Sequence, residues 1–156
     1  IAIITGTISL VYFSAISVWF NEGKIQKIQK ILKQQVFIVA IAFIIIIIIS
    51  YFFLDDILHW WLGKSFSDFI KNNSFHLLIG VLLVNFTILL IRPLQAIGEI
   101  KTVSLLLVVS TIVYLCIVIT LGLQKKIELH YIAFLIKAFF DIVAFIYLLK
   151  RKNILW

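Results

Sequence analysis

Two ionisable residues stand four positions apart inside an apolar run, Lys137 and Asp141 in "YIAFLIKAFFDIVAFIYLL". In a helix this spacing puts both on one face and within reach of each other. His130 shares that face. At 1.5 Å per residue, Lys137 lies about 10 Å and Asp141 about 16 Å along the axis from His130, which sets the acid near mid-membrane if the run is a span. Two chemistries fit. The pair can neutralise itself and hold helices together, or it can respond to protons or to a ligand inside a cavity, the ordinary role of ionisable groups at that depth.

A second constellation is "LLIRPLQAIGEIK", where Arg92 and the only proline, Pro93, interrupt the end of an apolar run. An arginine facing lipid costs roughly 2.5–3.5 kcal/mol on insertion scales. At 100° per residue Asn85, Arg92, Gln95 and Glu99 fall within about 80° of one another, so the run is expected to carry one polar stripe towards its end. Snorkelling to the headgroups would also accommodate Arg92. Asn85, deeper on the same face, favours a water-lined lumen. Pro93 need not break the helix, because neighbours or water can satisfy the carbonyl it frees.

Enzyme chemistry is scarcely visible. His59, His76 and His130 have no metal-ligand spacing, and no nucleophile–base–acid set or pair of carboxylates stands out. Cys116 is the only cysteine, which rules out an intrachain disulfide and a cysteine-based metal site. No catalytic residue, metal, cofactor or nucleic-acid partner is expected. Thr7, Ser14, Ser17 and Asn21 share a face, a pattern that suits helix packing better than transport.

The elements that must position these groups follow from composition. With 63% hydrophobic residues, 13% charged and a mean hydropathy of +1.18, the 156-residue chain has more apolar surface than a soluble core could hide. Five stretches approach the ~20 residues needed to cross ~30 Å of hydrocarbon: 1–20, 36–54, 75–97, 102–123 and 131–149. They lack the alternation of barrel strands, so the expected fold is an all-α membrane protein treated as a single region. The opening residues have neither a basic start nor a cleavage site, so the first stretch is expected to be a true span and the chain part of something longer.

Lysines and arginines set the orientation. Nine lie at one end (Lys24, Lys27, Lys30, Lys33, Arg92, Lys101, Lys150, Arg151, Lys152) and four at the other (Lys64, Lys71, Lys125, Lys126). The rule that cytoplasmic loops are basic makes the first end cytoplasmic and puts "HWW", residues 59–61, at the outer interface. Residues 22–35, "EGKIQKIQKILKQQ", read as a basic amphipathic helix on the cytoplasmic side. Ile25, Ile28, Ile31 and Leu32 form its apolar stripe, and the lysines suit an anionic leaflet.

The ordered string "YFSAISVWFNEGKIQKIQKILKQQ", a span, "LDDILHWWLGKSF", another span, and "RPLQAIGEIK" leading directly into the next resembles the C-terminal lobe of bacterial polysaccharide flippases of the O-antigen type. These belong to the superfamily of multidrug, oligosaccharidyl-lipid and polysaccharide exporters. The resemblance covers nearly the whole chain. It implies five spans of a six-helix lobe in a twelve-helix transporter, with an N-terminal lobe of the same protein as partner. It implies a bacterial inner-membrane protein that carries undecaprenyl-diphosphate-linked oligosaccharide repeat units for surface polysaccharide biosynthesis, by alternating access through a cationic cavity. Arg92 matches the family's pre-turn position, and Lys137 with Asp141 would face the same cavity. The chain departs from the family before the last span, where many relatives have Gly-x-x-Gly-Ala and this one has "LGLQKKIELHYIAF". A multidrug-type exporter of the same fold and a membrane-embedded polysaccharide polymerase are the alternatives. The polymerase should show a large polar outer loop, whereas 55–74 brings only two lysines.

Overall fold

The computed structural model describes residues 2–63, 68–124, 126 and 129–155, with side chains 2–9, 68, 69, 71 and 72 left out. Five α-helices account for the elements among the described residues: α1 (Ala2–Asn21), α2 (Ile25–Leu62), α3 (Asp68–Ala96), α4 (Ile100–Leu123) and α5 (His130–Arg151). Four stretches are long and apolar enough to cross a membrane: Ile25–Leu62, Asn73–Ala96, Ile100–Leu123 and His130–Arg151. The chain is an all-helical, multi-pass membrane protein. α1 follows the first expected span, and its described side chains begin at Leu10. The Thr7 side chain, and the loop lysines Lys64 and Lys125, lie outside what is described.

Helix boundaries differ from the sequence expectation in an instructive way. The amphipathic segment and the second span form one 38-residue helix, α2, about 57 Å long at 1.5 Å per residue and so far longer than the hydrocarbon is thick. The expected link at 55–74 shrinks, because α2 runs on to Leu62 and α3 already starts at Asp68. Hydropathy marks where lipid ends, whereas a helix continues into water for as long as its residues tolerate it. Asp55, Asp56 and His59 do so, exposed on the last turns of α2 beside Trp60 and Trp61, which are 88% and 74% exposed.

α3 is the hub, touching each of the other four helices, and α5 packs on α3 and α4. In α3 and α5, 33% of the most apolar stretch is buried against protein; in α2 and α4 the figure is 11%, as suits helices that turn most of their surface to lipid. Gly80 permits a close approach of the two inner helices. A Cβ there would come within 2.5 Å of the Phe134 ring. The core gathers at the basic end: Ile16 of α1, Ile28 and Leu32 of α2, Leu90 and Leu94 of α3, Val103 of α4, and Phe145 and Leu149 of α5 enclose Ile154 of the C-terminal tail. The apolar stripe of the amphipathic segment is thus spent on the bundle, and its lysines remain exposed.

Candidate functional site

Lys137 Nζ donates to Asp141 Oδ2 at 2.6 Å, across one turn of α5, with side-chain exposures of 17% and 5%. The i, i+4 geometry makes this contact from local structure alone, and charge assistance shortens it. Asp141 is turned into the packing. Lys137 also lines a cavity of ≈ 160 Å³ between α4 and α5, with Ser110, Val113, Tyr114, Ala133 and Phe140 among the other walls. Ser110 is buried and gives its hydroxyl to the Leu107 carbonyl at 3.2 Å, while Tyr114 meets Phe134 edge-on with ring centres 6.4 Å apart. The cavity is therefore an apolar crevice with three polar groups, one of them charged.

Depth decides which other residues belong with this pair. α3 and α5 run in the same direction: Gly80 meets Phe134 and Leu135, and Phe86 and Leu90 share a groove with Ile146 and Lys150. These contacts set Asn85 within about one turn of Asp141 in depth. Asn85 is 4% exposed and donates to the Val81 carbonyl at 2.7 Å. Arg92 lies seven residues further on, about 10 Å nearer the basic end.

The expected polar stripe is thus divided. Arg92 is half-buried and its Nη1 reaches Gln95 Oε1 at 3.4 Å, the outer limit of a hydrogen bond. α3 passes through the buried Pro93 unbroken and ends at Ala96, after which Gly98 turns the chain with φ +88°. Glu99 therefore leaves the α3 register and stands at the N-cap of α4. There it accepts from Thr102 at 2.8 Å and pairs with Lys152 of the tail. Those two partners, Lys152 first, hold the Glu99 carboxyl below its usual value. Glu99 falls beside Arg92 only on a helix that continues past Ala96, and the turn at Gly98 ends that continuity.

Two features carry little signal in the sequence. Ser110 and Tyr114 looked like ordinary residues of an apolar helix, and only the α4–α5 packing brings them to Lys137. Gln35 is 3% exposed, and its Nε2 is buried without a hydrogen-bond partner. A buried donor left unmet costs about 1–3 kcal/mol. Its one signal in the sequence is the pair Gln34–Gln35 at the junction between the basic segment and the apolar run. Among the described residues no three His, Cys, Asp or Glu side chains gather in a way that could hold a metal ion. Compared with protein-family models, curated proteins and solved structures, the chain matches none.

Proposed function

We propose that this chain is five helices of the C-terminal lobe of a twelve-helix flippase in the bacterial inner membrane. Its cargo would be an undecaprenyl-diphosphate-linked oligosaccharide repeat unit. One observation carries the reading: the Lys137–Asp141 pair sits inside a span, with the lysine on the wall of a cavity. Ionisable groups at this depth are costly and mark substrate or ion pathways in transporters. Arg92, about 10 Å nearer the basic end along the helix axis, adds a cation at the depth where a diphosphate headgroup would enter from the basic side, and the apolar flanks leave a polyprenyl tail in lipid.

One observation favours the multidrug-type exporter instead. Lys137 is already neutralised by Asp141, so the cavity offers a diphosphate less positive charge than an unpaired lysine would. Complementation separates the readings. In a strain deleted for its own flippase, the full-length protein should restore surface polysaccharide. The double variant Lys137→Met/Asp141→Leu should reach the membrane at equal abundance and fail to restore it. No rescue by the wild type would remove the flippase reading. Full rescue by the double variant would make the pair structural.

A further inference from the structure

We propose that the groove between α1 and α2 is a binding site for one anionic phospholipid of the surrounding bilayer, with Gln35 as its polar floor. The groove has a volume of ≈ 480 Å³ and is lined by Tyr12 of α1 and by Ile31, Gln34, Gln35, Phe37 and Ile38 of α2. Gln35 is almost wholly buried in it, and its amide nitrogen has no partner. Rotation about the last side-chain bond lets the two ends of the carboxamide exchange places within the same volume, so an acceptor that reaches Gln35 from the groove would meet the donor that now has none. The site therefore calls for a hydrogen-bond acceptor at this depth.

The order of residues along α2 says which acceptor. Lys27, Ile31, Gln34 and Ile38 fall within about 60° on the helix, and Lys30 lies one turn before Gln34 on the same side. Reading from the basic end, this face presents ammonium groups, then carboxamides, then apolar side chains. A phospholipid has the same sequence of chemistry: phosphate, ester carbonyls, acyl chain. Lys27 and Lys30 are exposed, as are Phe37 at 65% and Ile38 at 54%, so headgroup and tail both have access. Charge selects the anionic lipid. Lys24, Lys27, Lys30 and Lys33 are all exposed here, and the nearby Glu22 is taken by Lys24 at 2.7 Å. Basic side chains at a membrane surface draw anionic headgroups. The groove adds what a surface patch lacks, a donor below the headgroup and a slot for the first methylenes. This inference does not depend on the cargo proposed above.

Native mass spectrometry of the purified protein in mild detergent tests it, with phosphatidylglycerol and phosphatidylcholine of identical chains as probes. The wild type should retain one phosphatidylglycerol and bind it at least tenfold more tightly than phosphatidylcholine. Lys27→Gln/Lys30→Gln should bring the two lipids to the same affinity. Gln35→Leu should weaken both about fivefold without lowering the lipid-free unfolding temperature, since the orphan donor goes with the side chain. Ile38→Trp, an exposed change that fills the slot and spares lysines and glutamines, should weaken both lipids as well, and serves if Gln35→Leu folds poorly. Equal binding of the two lipids by the wild type, or no retained lipid because another segment covers the groove, would overturn the proposal. So would unchanged lipid binding in both groove variants, or displacement of phosphatidylglycerol by millimolar inorganic phosphate, either of which leaves a headgroup patch and no groove site.

Discussion

Lys137 and Asp141 meet within one helix at mid-span, with side chains 17% and 5% exposed, whereas Glu99 and Lys152 meet between a turn and the C-terminal tail, 23% and 38% exposed. The first pair needs only a helix to form it and a low-dielectric setting to make it matter. Its contact is local, so little chain entropy is spent on it, but both charges leave water. The second pair needs the finished bundle, because the α3–α4 turn and the segment after α5 come together only when Phe145, Leu149 and Ile154 are packed. Its partners stay partly hydrated, so it is cheap to form and weak. Burial, and not ion-pair geometry, separates a site that chemistry can use from a fastening.

The largest expected effect breaks the mid-span pair unevenly. Asp141→Asn leaves Lys137 in apolar surroundings without its counter-ion, and losing one partner of a buried pair costs about 3–5 kcal/mol. Lys137→Met/Asp141→Leu removes both charges and should leave stability close to wild type. Thermal unfolding in detergent at fixed pH should place the single variant far below the double. If the two unfold together, water reaches the pair and its burial has no energetic meaning.

That contrast also explains what the sequence could and could not disclose. Lys137 and Asp141 were legible because their contact is a property of helical spacing, and the apolar runs were legible because hydrocarbon imposes a length. Helix ends were not, since Asp55, Asp56 and His59 suit a helix in water as well as a loop. Glu99 was misplaced for want of one backbone angle, that of Gly98. Its partner Lys152 comes from a segment whose position depends on long-range packing, and no spacing rule connects the two. Gln35 was invisible for the same reason: its burial is set by the helices packed against α2, and a glutamine next to lysines reads as solvated until those neighbours are in place.

An intermediate effect sharpens the comparison by disturbing packing near the mid-span pair without touching a charge. Gly80 lies against Phe134, one turn before Lys137. Gly80→Ala forces the ring or the helix to move, and overpacking of this kind costs about 1–3 kcal/mol. It should lower the unfolding temperature. Gly122, in the last turn of α4, is exposed with open space around it, and Gly122→Ala should not lower the unfolding temperature. An unchanged Gly80→Ala protein would mean that α3 and α5 have slack where the structure shows contact.

The smallest effect belongs to the outer pair, and its pH dependence gives it away. Lys152, and after it Thr102, lower the Glu99 carboxyl below its usual 4.5. A group whose pKa is depressed on folding contributes stability above its unfolded value and loses it as pH falls through the folded one. The fastening is therefore complete at neutral pH and released only in acid, below about 4.5. The tail itself stays docked, because Ile154 is fully buried, its amide bonds to the Leu149 carbonyl at 2.9 Å, and Gln29 Nε2 donates to the Asn153 carbonyl at 3.1 Å. Glu99→Gln should thus raise amide exchange at Asn153 and Ile154 only a few-fold at pH 7, after correction for intrinsic rates. Lys152→Gln should match it, and the two changes together should add little to either, as expected when both remove one interaction. With falling pH the wild type should converge on the variant. A Glu99→Gln protein that stays equally far from wild type in acid would show that the carboxylate acts through something other than its charge, and the comparison of two ion pairs would then fail.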